Sequence, residues 1–285
     1  MSWLLLTFLS VISRSIYGVL TKILSNQVKT SVFTQAALLS FAGGLISLLI
    51  SPLLGGLSAD FSKVSLTVVA FVILGQGLGN ITYFQAIKKL TNGTAQIAFS
   101  SILVFNTFLS LIFLNLHLTP VNVFGVILLM LAILSVTNGK VEFNREGVLM
   151  MIFAAFLFSV FQLSSAKLSK QVGATTYLLI AYFGAALVVF ALKTKVIVKD
   201  LALPDRRSTL GLPLITAVPS LGNFAFAYYA YRDAPQPAKV AMLLTSQVVL
   251  TVFLSYVFLK EKGHFWPKVI AAALVVIAAV LIKRG

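Results

Sequence analysis

The chain has 285 residues, of which 59% are hydrophobic and only 10% charged, at a mean hydropathy of +1.01. An ordinary soluble domain carries about 25% charged residues, so a water-soluble globule is excluded for want of polar surface. The net charge of +15 would suggest nucleic acid in a soluble protein. Here Lys and Arg stand mostly at the ends of apolar runs, so lipid headgroups are the expected partner and nucleic acid is not.

Runs long enough to cross about 30 Å of hydrocarbon occur in order at 3–24, 31–54, 65–87, 94–115, 120–138, 147–168, 174–192, 210–231, 238–259 and 266–282. The first lacks a basic leader and a small-residue cleavage site, so it reads as a retained span. Gly55-Gly56 with Asp60 and Lys63, Asn92-Gly93, Pro120, Asn138-Gly139 and Pro235-Gln236-Pro237 punctuate the boundaries. The longest polar stretch, Lys193 to Thr209, reads as a solvated loop. There is no cysteine, which excludes disulfides and thiolate chemistry. No metal cluster, nucleophile–base pair or phosphate-binding glycine loop is visible, so neither a cofactor nor an enzyme is expected.

The chain repeats itself. Lys22–Val28 answers Lys167–Val172, Leu78-Gly79-Asn80 answers Leu221-Gly222-Asn223, and Ala86-Ile87-Lys88 answers Ala230-Tyr231-Arg232. Ala95–Ala98 answers Ala238–Ala241, and Leu109–Leu114 answers Leu254–Leu259, all at an offset of about 144 residues. Repeats of this order mark duplicated architectures. The fold expected is an all-α integral membrane protein of ten transmembrane helices, arranged as two five-helix repeats, 1–140 and 146–285. An odd number of spans per repeat inverts the second relative to the first. Inverted repeats are characteristic of alternating-access carriers, with the substrate held near the midplane at the repeat interface.

Polar residues within spans carry the functional signal, because lipid tolerates them only against a cavity or a partner. Arg14 lies near the middle of the first span, with Tyr17 on the same face. Arg14 is either a brace between helices, a cavity cation for an anionic part of a substrate, or a snorkelling side chain. Asn80 and Asn223 occupy matching places in the third and eighth spans, and read as interhelical glue or as substrate contacts. Gln162 stands at the repeat position of Tyr17, and Gln247 is deep in the ninth span. Tyr83 and Phe226 add aromatic faces. These eight residues are the candidate substrate-binding set. Gln76, Gln85, Asn106 and Tyr182 form a second tier. Gly75, Gly77 and Gly79 in the third span, and Pro213, Pro219 and Gly222 in the eighth, read as broken or bendable helices at a binding region, or as close packing through small residues.

The pattern resembles the EamA-type members of the drug/metabolite transporter superfamily. Lys22 sits at the family's lysine closing the first helix, with Tyr17 at its asparagine position and Arg14 where its tryptophan falls. Tyr83-Phe84-Gln85-Ala86-Ile87-Lys88 and Tyr228-Tyr229-Ala230-Tyr231-Arg232 match its third-helix ending. Leu259-Lys260-Glu261 keeps the fourth helix's glutamate, whereas the first half has Asn115-Leu116; Leu103 and Val248 replace the family's proline. The resemblance implies a carrier in a membrane, the expected one being a prokaryotic plasma membrane.

All seven acids (Asp60, Glu142, Glu146, Asp200, Asp205, Asp233 and Glu261) fall in loops or at span ends, and His117 and His264 lie near span ends. A carboxylate proton relay inside the bilayer is therefore not expected. The leading expectation is a carrier of amino acids, related zwitterions or organic acids. The alternatives are an amine or multidrug permease with an aromatic cage, a lipid-acting membrane enzyme, and a scaffold. Oligomeric state is not legible, and a monomer suffices. Of the basic residues, 6 fall on the face shared by the termini and 14 on the other. The positive-inside rule then puts the termini outside the cytosol, while the resemblance implies cytosolic termini.

Overall fold

The structure is a computed structural model that describes residues 2–58, 64–114, 119–137, 144–202, 206–234, 240, 243–261 and 263–284. Asp60, Lys63, His117, Asn138-Gly139, Glu142, Asp205 and Pro235-Gln236-Pro237 lie outside those residues. In chain order the helices are α1 (Trp3–Gln27), α2 (Val32–Leu49), α3 (Leu66–Lys89), α4 (Asn92–Phe99), α5 (Ile102–Leu114), α6 (Pro120–Thr137), α7 (Arg145–Leu168), α8 (Ala174–Leu201), α9 (Arg206–Asp233), α10 (Gln247–Phe258) and α11 (Phe265–Arg284). No strand occurs among the described residues. Among the described residues, seven helices are long and apolar enough to cross a membrane, and 120–135 and 243–258 are shorter apolar helices. The chain is an integral membrane protein.

Local chemistry sets the ends. The backbone N–H of Leu5 donates to Ser2 Oγ at 3.3 Å, that of Thr34 to Ser31 Oγ at 3.3 Å, and that of Gly147 to Asn144 Oδ1 at 2.9 Å. Each satisfies an orphan donor of a first turn. α2 stops short of the expected 54, passing through a 3-10 turn at Ser51–Leu54 that carries Pro52 and ends on Gly55 in the left-handed region.

Three sequence expectations need correction. The stretch from Lys193 is helical to Leu201, with a kink at Lys193 (φ −140°, ψ 33°). Ile197 is buried there, and this anchors what composition alone marks as a loop. The third and eighth spans are unbroken: α3 runs through Gly75, Gly77 and Gly79, and α9 runs through Pro213 and Pro219. The glycines serve close packing instead, since a Cβ on Gly75 would lie 3.0 Å from the Leu157 carbonyl oxygen and the Phe161 nitrogen of α7. The fourth and ninth spans, expected to be continuous, are the broken ones. α4 gives way to α5 at Ser100-Ser101, and the helical turn at residues 243–245 gives way to α10 at Ser246.

The principal helix contacts are α1 with α9, α3 with α7, α2 with α8 and α6 with α11, while α4 also packs on α10. In the register of the sequence repeat, the first two pairs exchange with each other, and each of the others pairs equivalent spans. These pairs run antiparallel. The start of α2 meets the end of α8, where Asp200 Oδ2 accepts from the Ser31 N–H at 2.7 Å, and its middle meets Tyr182 across Gly43. The start of α6 meets the end of α11, where Asn122 Nδ2 donates to the Ile282 carbonyl at 2.8 Å. The start of α4 meets the end of α10, where Asn92 Nδ2 donates to Ser255 Oγ at 2.8 Å.

Candidate functional site

The two breaks line one cavity, which is partly open at the exposed Gln162. At the first, Ser100 N–H and Oγ both bond the Gln96 carbonyl, at 3.1 and 3.0 Å, and Ser101 N–H bonds that of Ala98. Serine hydroxyls and tightened turns of this kind compete with the regular ladder. Ser159 Oγ of α7 donates to the Ile102 carbonyl at 3.1 Å, fixing the first residue of α5. At the second break, Ser246 N–H and Oγ bond the Leu243 carbonyl at 3.0 and 2.6 Å. Between them lies a cavity of about 150 Å³ whose polar lining is Ser100, Asn106, Gln162, Thr245 and Gln247, with Phe99, Ile102, Leu103, Leu244 and Val248 completing the wall. Asn106 Nδ2 donates to Gln162 Oε1 at 2.8 Å, while Asn106 Oδ1 is buried without a partner.

Arg14 stands beside this chamber. Its guanidinium carbon lies 5.0 Å from the Tyr17 ring centre and 5.4 Å from that of Phe99, the aromatic wall of the cavity. Among the described residues it has no hydrogen bond and no carboxylate, so the ring faces alone receive the charge. Such contacts are worth about 0.5–2 kcal/mol, which leaves most of its five donors open. The next residue, Ser15, donates to the Gln247 carbonyl at 3.2 Å, tying the middle of α1 to the second break. Gly18 lets α1 close on both half-helices, since a Cβ there would lie 3.2 Å from Gln96 Nε2 and 3.3 Å from Thr251 Cγ2.

Tyr83 completes the group. Its hydroxyl accepts from Gln96 Nε2 at 2.7 Å, and its ring meets Phe99 edge-on at 5.6 Å. Of the eight residues singled out in the sequence, Arg14, Tyr17 and Tyr83 gather around Phe99, and Gln162 and Gln247 line the cavity beyond it. The other three lie elsewhere in helix interfaces. Asn80 donates to Ser40 Oγ at 3.1 Å, buried between α3 and α2. Asn223 accepts from Ser10 Oγ at 3.0 Å, joining α9 to α1. Phe226 packs with Leu6, Ala230 and Val240 near the start of α1. Sequence reasoning missed Phe99, Gln96 and the Ser100 and Thr245 hydroxyls. The signal available was the pair of small hydroxylated dipeptides, Ser100-Ser101 and Thr245-Ser246, at equivalent places in the two halves.

The opposite end of the same helices carries charge. Lys22, 8% exposed, donates to the carbonyls of Ile87 and Leu90 at 2.7 and 2.6 Å, closing the end of α3. Glu261 accepts from the N–H groups of Asn92 and Gly93 at 2.7 and 3.2 Å, capping α4 from the other half of the chain. Lys268 Nζ lies 3.9 Å from Glu261 Oε2. These two lysines, expected at headgroups, are buried against protein because helix-end carbonyls and a carboxylate are there to receive them.

A duplicated bundle of apolar helices around a polar, mid-depth cavity defines a membrane transport protein. The sequence model of the EamA-like transporter family matches the chain twice, over residues 1–138 and 145–284, and the chain belongs to that family, within the drug/metabolite transporter superfamily. No curated protein matches the chain in sequence. A solved structure titled "Crystal structure of protein" aligns with 97% of this chain and 94% of its own, at a TM-score of 0.67 and 15% identity, a likeness of fold alone.

Proposed function

We propose that the protein is a secondary carrier of small metabolites bearing an anionic group, such as amino acids, related zwitterions or organic acids. The carboxylate or phosphate would be met by Arg14, and the remainder of the molecule would occupy the chamber between the two helix breaks. The observation that carries this reading is Arg14 itself, a mid-span guanidinium held only by ring faces, with no counter-charge. A guanidinium offers a planar fork to a carboxylate and keeps its charge. Gln162, Gln247 and the open Asn106 Oδ1 supply hydrogen bonds at the other end of the substrate. The cavity is well below the roughly 300–1,000 Å³ of drug-sized pockets, in keeping with a small metabolite.

The mechanism proposed is alternating access between two inverted five-helix repeats, 1–140 and 146–285. In its support, spans equivalent in the repeat pack antiparallel, as a pseudo-two-fold axis in the membrane plane requires. The two half-helix breaks at equivalent positions are the feature expected of a carrier's binding region. An aromatic cage for an amine is disfavoured, because Arg14 already occupies the Tyr17 and Phe99 faces. Uptake into proteoliposomes from a radiolabelled panel of amino acids, organic acids and amines tests the reading. Accumulation of carboxylate-bearing compounds is expected, and uptake of amines alone would overturn it.

A further inference from the structure

Among the described residues, the charged cluster at the start of α4 stands on one face of the molecule only. The cavity lies on the side of the breaks toward the termini: Asn106 leads toward the end of α5, Gln162 toward the end of α7, and Leu244 precedes the second break. Below the breaks the path is shut by the Gln96–Tyr83 hydrogen bond, by the packing of Gly18 against Gln96 and Thr251, and by the Asn92–Ser255 bond. The last layer before the opposite face is Glu261 across the start of α4, with Lys268 Nζ 3.9 Å from its carboxylate and Lys22 bonded to the Leu90 carbonyl just before α4.

In the register of Leu109–Leu114 with Leu254–Leu259, the repeat places Leu116 opposite Glu261 and Val123 opposite Lys268. Lys167, the counterpart of buried Lys22, is exposed. Where the second half caps the first with carboxylates on the far face, the described contact between the halves at the terminal face is neutral: Ser58 exchanges bonds with Thr176 at 3.1 and 3.0 Å and accepts from the Gly173 N–H at 2.8 Å. Two inverted halves with identical chemistry would have two faces of equal closing strength. Among the described residues, only the far face carries this charged clasp.

We infer that Glu261, beside Lys268 and bonded to the first two N–H groups of α4, is the latch that keeps the far face closed and biases the carrier toward opening at the face of its termini. The inference rests on the alternating-access reading and adds to it the residue that sets the balance. Opening the far face must draw α4 away from the end of α10. That breaks two charge-assisted bonds at a helix N-terminus, where a carboxylate is favoured by the aligned peptide dipoles. Among the described residues, the opposite transition breaks no such pair. A ligand then has to favour the far-open state by more than this difference before it can cross.

The chain has no cysteine, so single-cysteine reporters need no prior engineering. Leu244→Cys reports the terminal side of the breaks and Thr251→Cys the far side. Each is labelled with a hydrophilic maleimide in lipid nanodiscs, without substrate, alone and combined with Glu261→Gln. The latch predicts that Glu261→Gln speeds labelling at Thr251→Cys tenfold or more and slows it at Leu244→Cys, in protein that still elutes as one folded species. Glu261→Asp, which keeps the charge and shortens its reach, should fall between. Unchanged rates at both reporters overturn the latch, and so does a Glu261→Gln protein that unfolds while Glu261→Asp labels like the parent. A shifted rate without uptake of any panel compound leaves the latch standing and removes the substrate reading. Normal uptake with unshifted rates does the reverse.

Discussion

A single arginine carries most of the weight of the proposed function. Charge at the centre of a bilayer costs at least about 2.5–3.5 kcal/mol on the insertion scale, and two ring faces offset only part of that. Arg14→Gln is therefore expected to fold and express as the parent does, while losing most transport of an anionic or zwitterionic substrate. Arg14→Lys should restore a minor fraction, because a point charge replaces a two-pronged fork. Uptake assays on matched amounts of folded protein decide the matter: an unfolded Arg14→Gln would make the residue a brace, and normal uptake would end the anionic-substrate reading. Lys22 provides the contrast. Both its bonds go to backbone carbonyls, so Lys22→Met strips buried acceptors and should lower stability by about 1–3 kcal/mol, read as a drop in midpoint of thermal unfolding in detergent. Arg14 was legible in the sequence because its charge breaks an apolar run. Its partners were not, since nothing in Tyr17 or Phe99 distinguishes a ring facing a guanidinium from a ring facing lipid.

At the level of the helix, composition misdirects where packing decides. Prolines and glycines draw attention to the third and eighth spans, yet both are continuous. In α9, Thr216 Oγ1 donates to the Leu212 carbonyl at 2.7 Å inside the proline-bearing stretch, and membrane helices tolerate proline where neighbours meet the freed groups. The glycines are required for contact. Gly43 sits on the Tyr182 ring, where a Cβ would lie 2.5 Å from Cδ1. Gly75 meets α7 backbone that cannot yield as a side chain would. Gly75→Val should then cost about 1–3 kcal/mol through overpacking and lower the thermal midpoint, without changing which substrates are carried. A neutral effect would mean that α3 and α7 have room to slide. The breaks at Ser100-Ser101 and Ser246 are not legible in the hydropathy because serine is common in membrane helices, and its backbone bonding emerges only once α7 and α1 pin the chain on either side. The duplication was the readable part: five short matches in one order suggested it, and the family model matches the chain twice, over residues 1–138 and 145–284.

For the whole molecule, the distribution of charge bears on what drives transport. Every described acid lies at a helix end: Glu146 pairs with Lys89, Asp233 with Arg232, Asp200 caps α2 and Glu261 caps α4. None reaches the chamber at the breaks, whose polar groups are amides and hydroxyls that do not titrate near neutral pH. A proton-coupled carrier needs a group that binds a proton in one facing state and releases it in the other, exposed to each side in turn. Arg14 cannot serve, since a guanidinium stays protonated. Transport is therefore expected to run down the substrate gradient or by exchange. In pH-clamped proteoliposomes holding unlabelled substrate, labelled substrate should enter by counterflow with no matching proton movement, and an imposed pH gradient alone should drive no accumulation. A substrate-dependent proton flux that persists in Glu261→Gln would require a coupling group elsewhere in the chain and would set this account of the driving force aside.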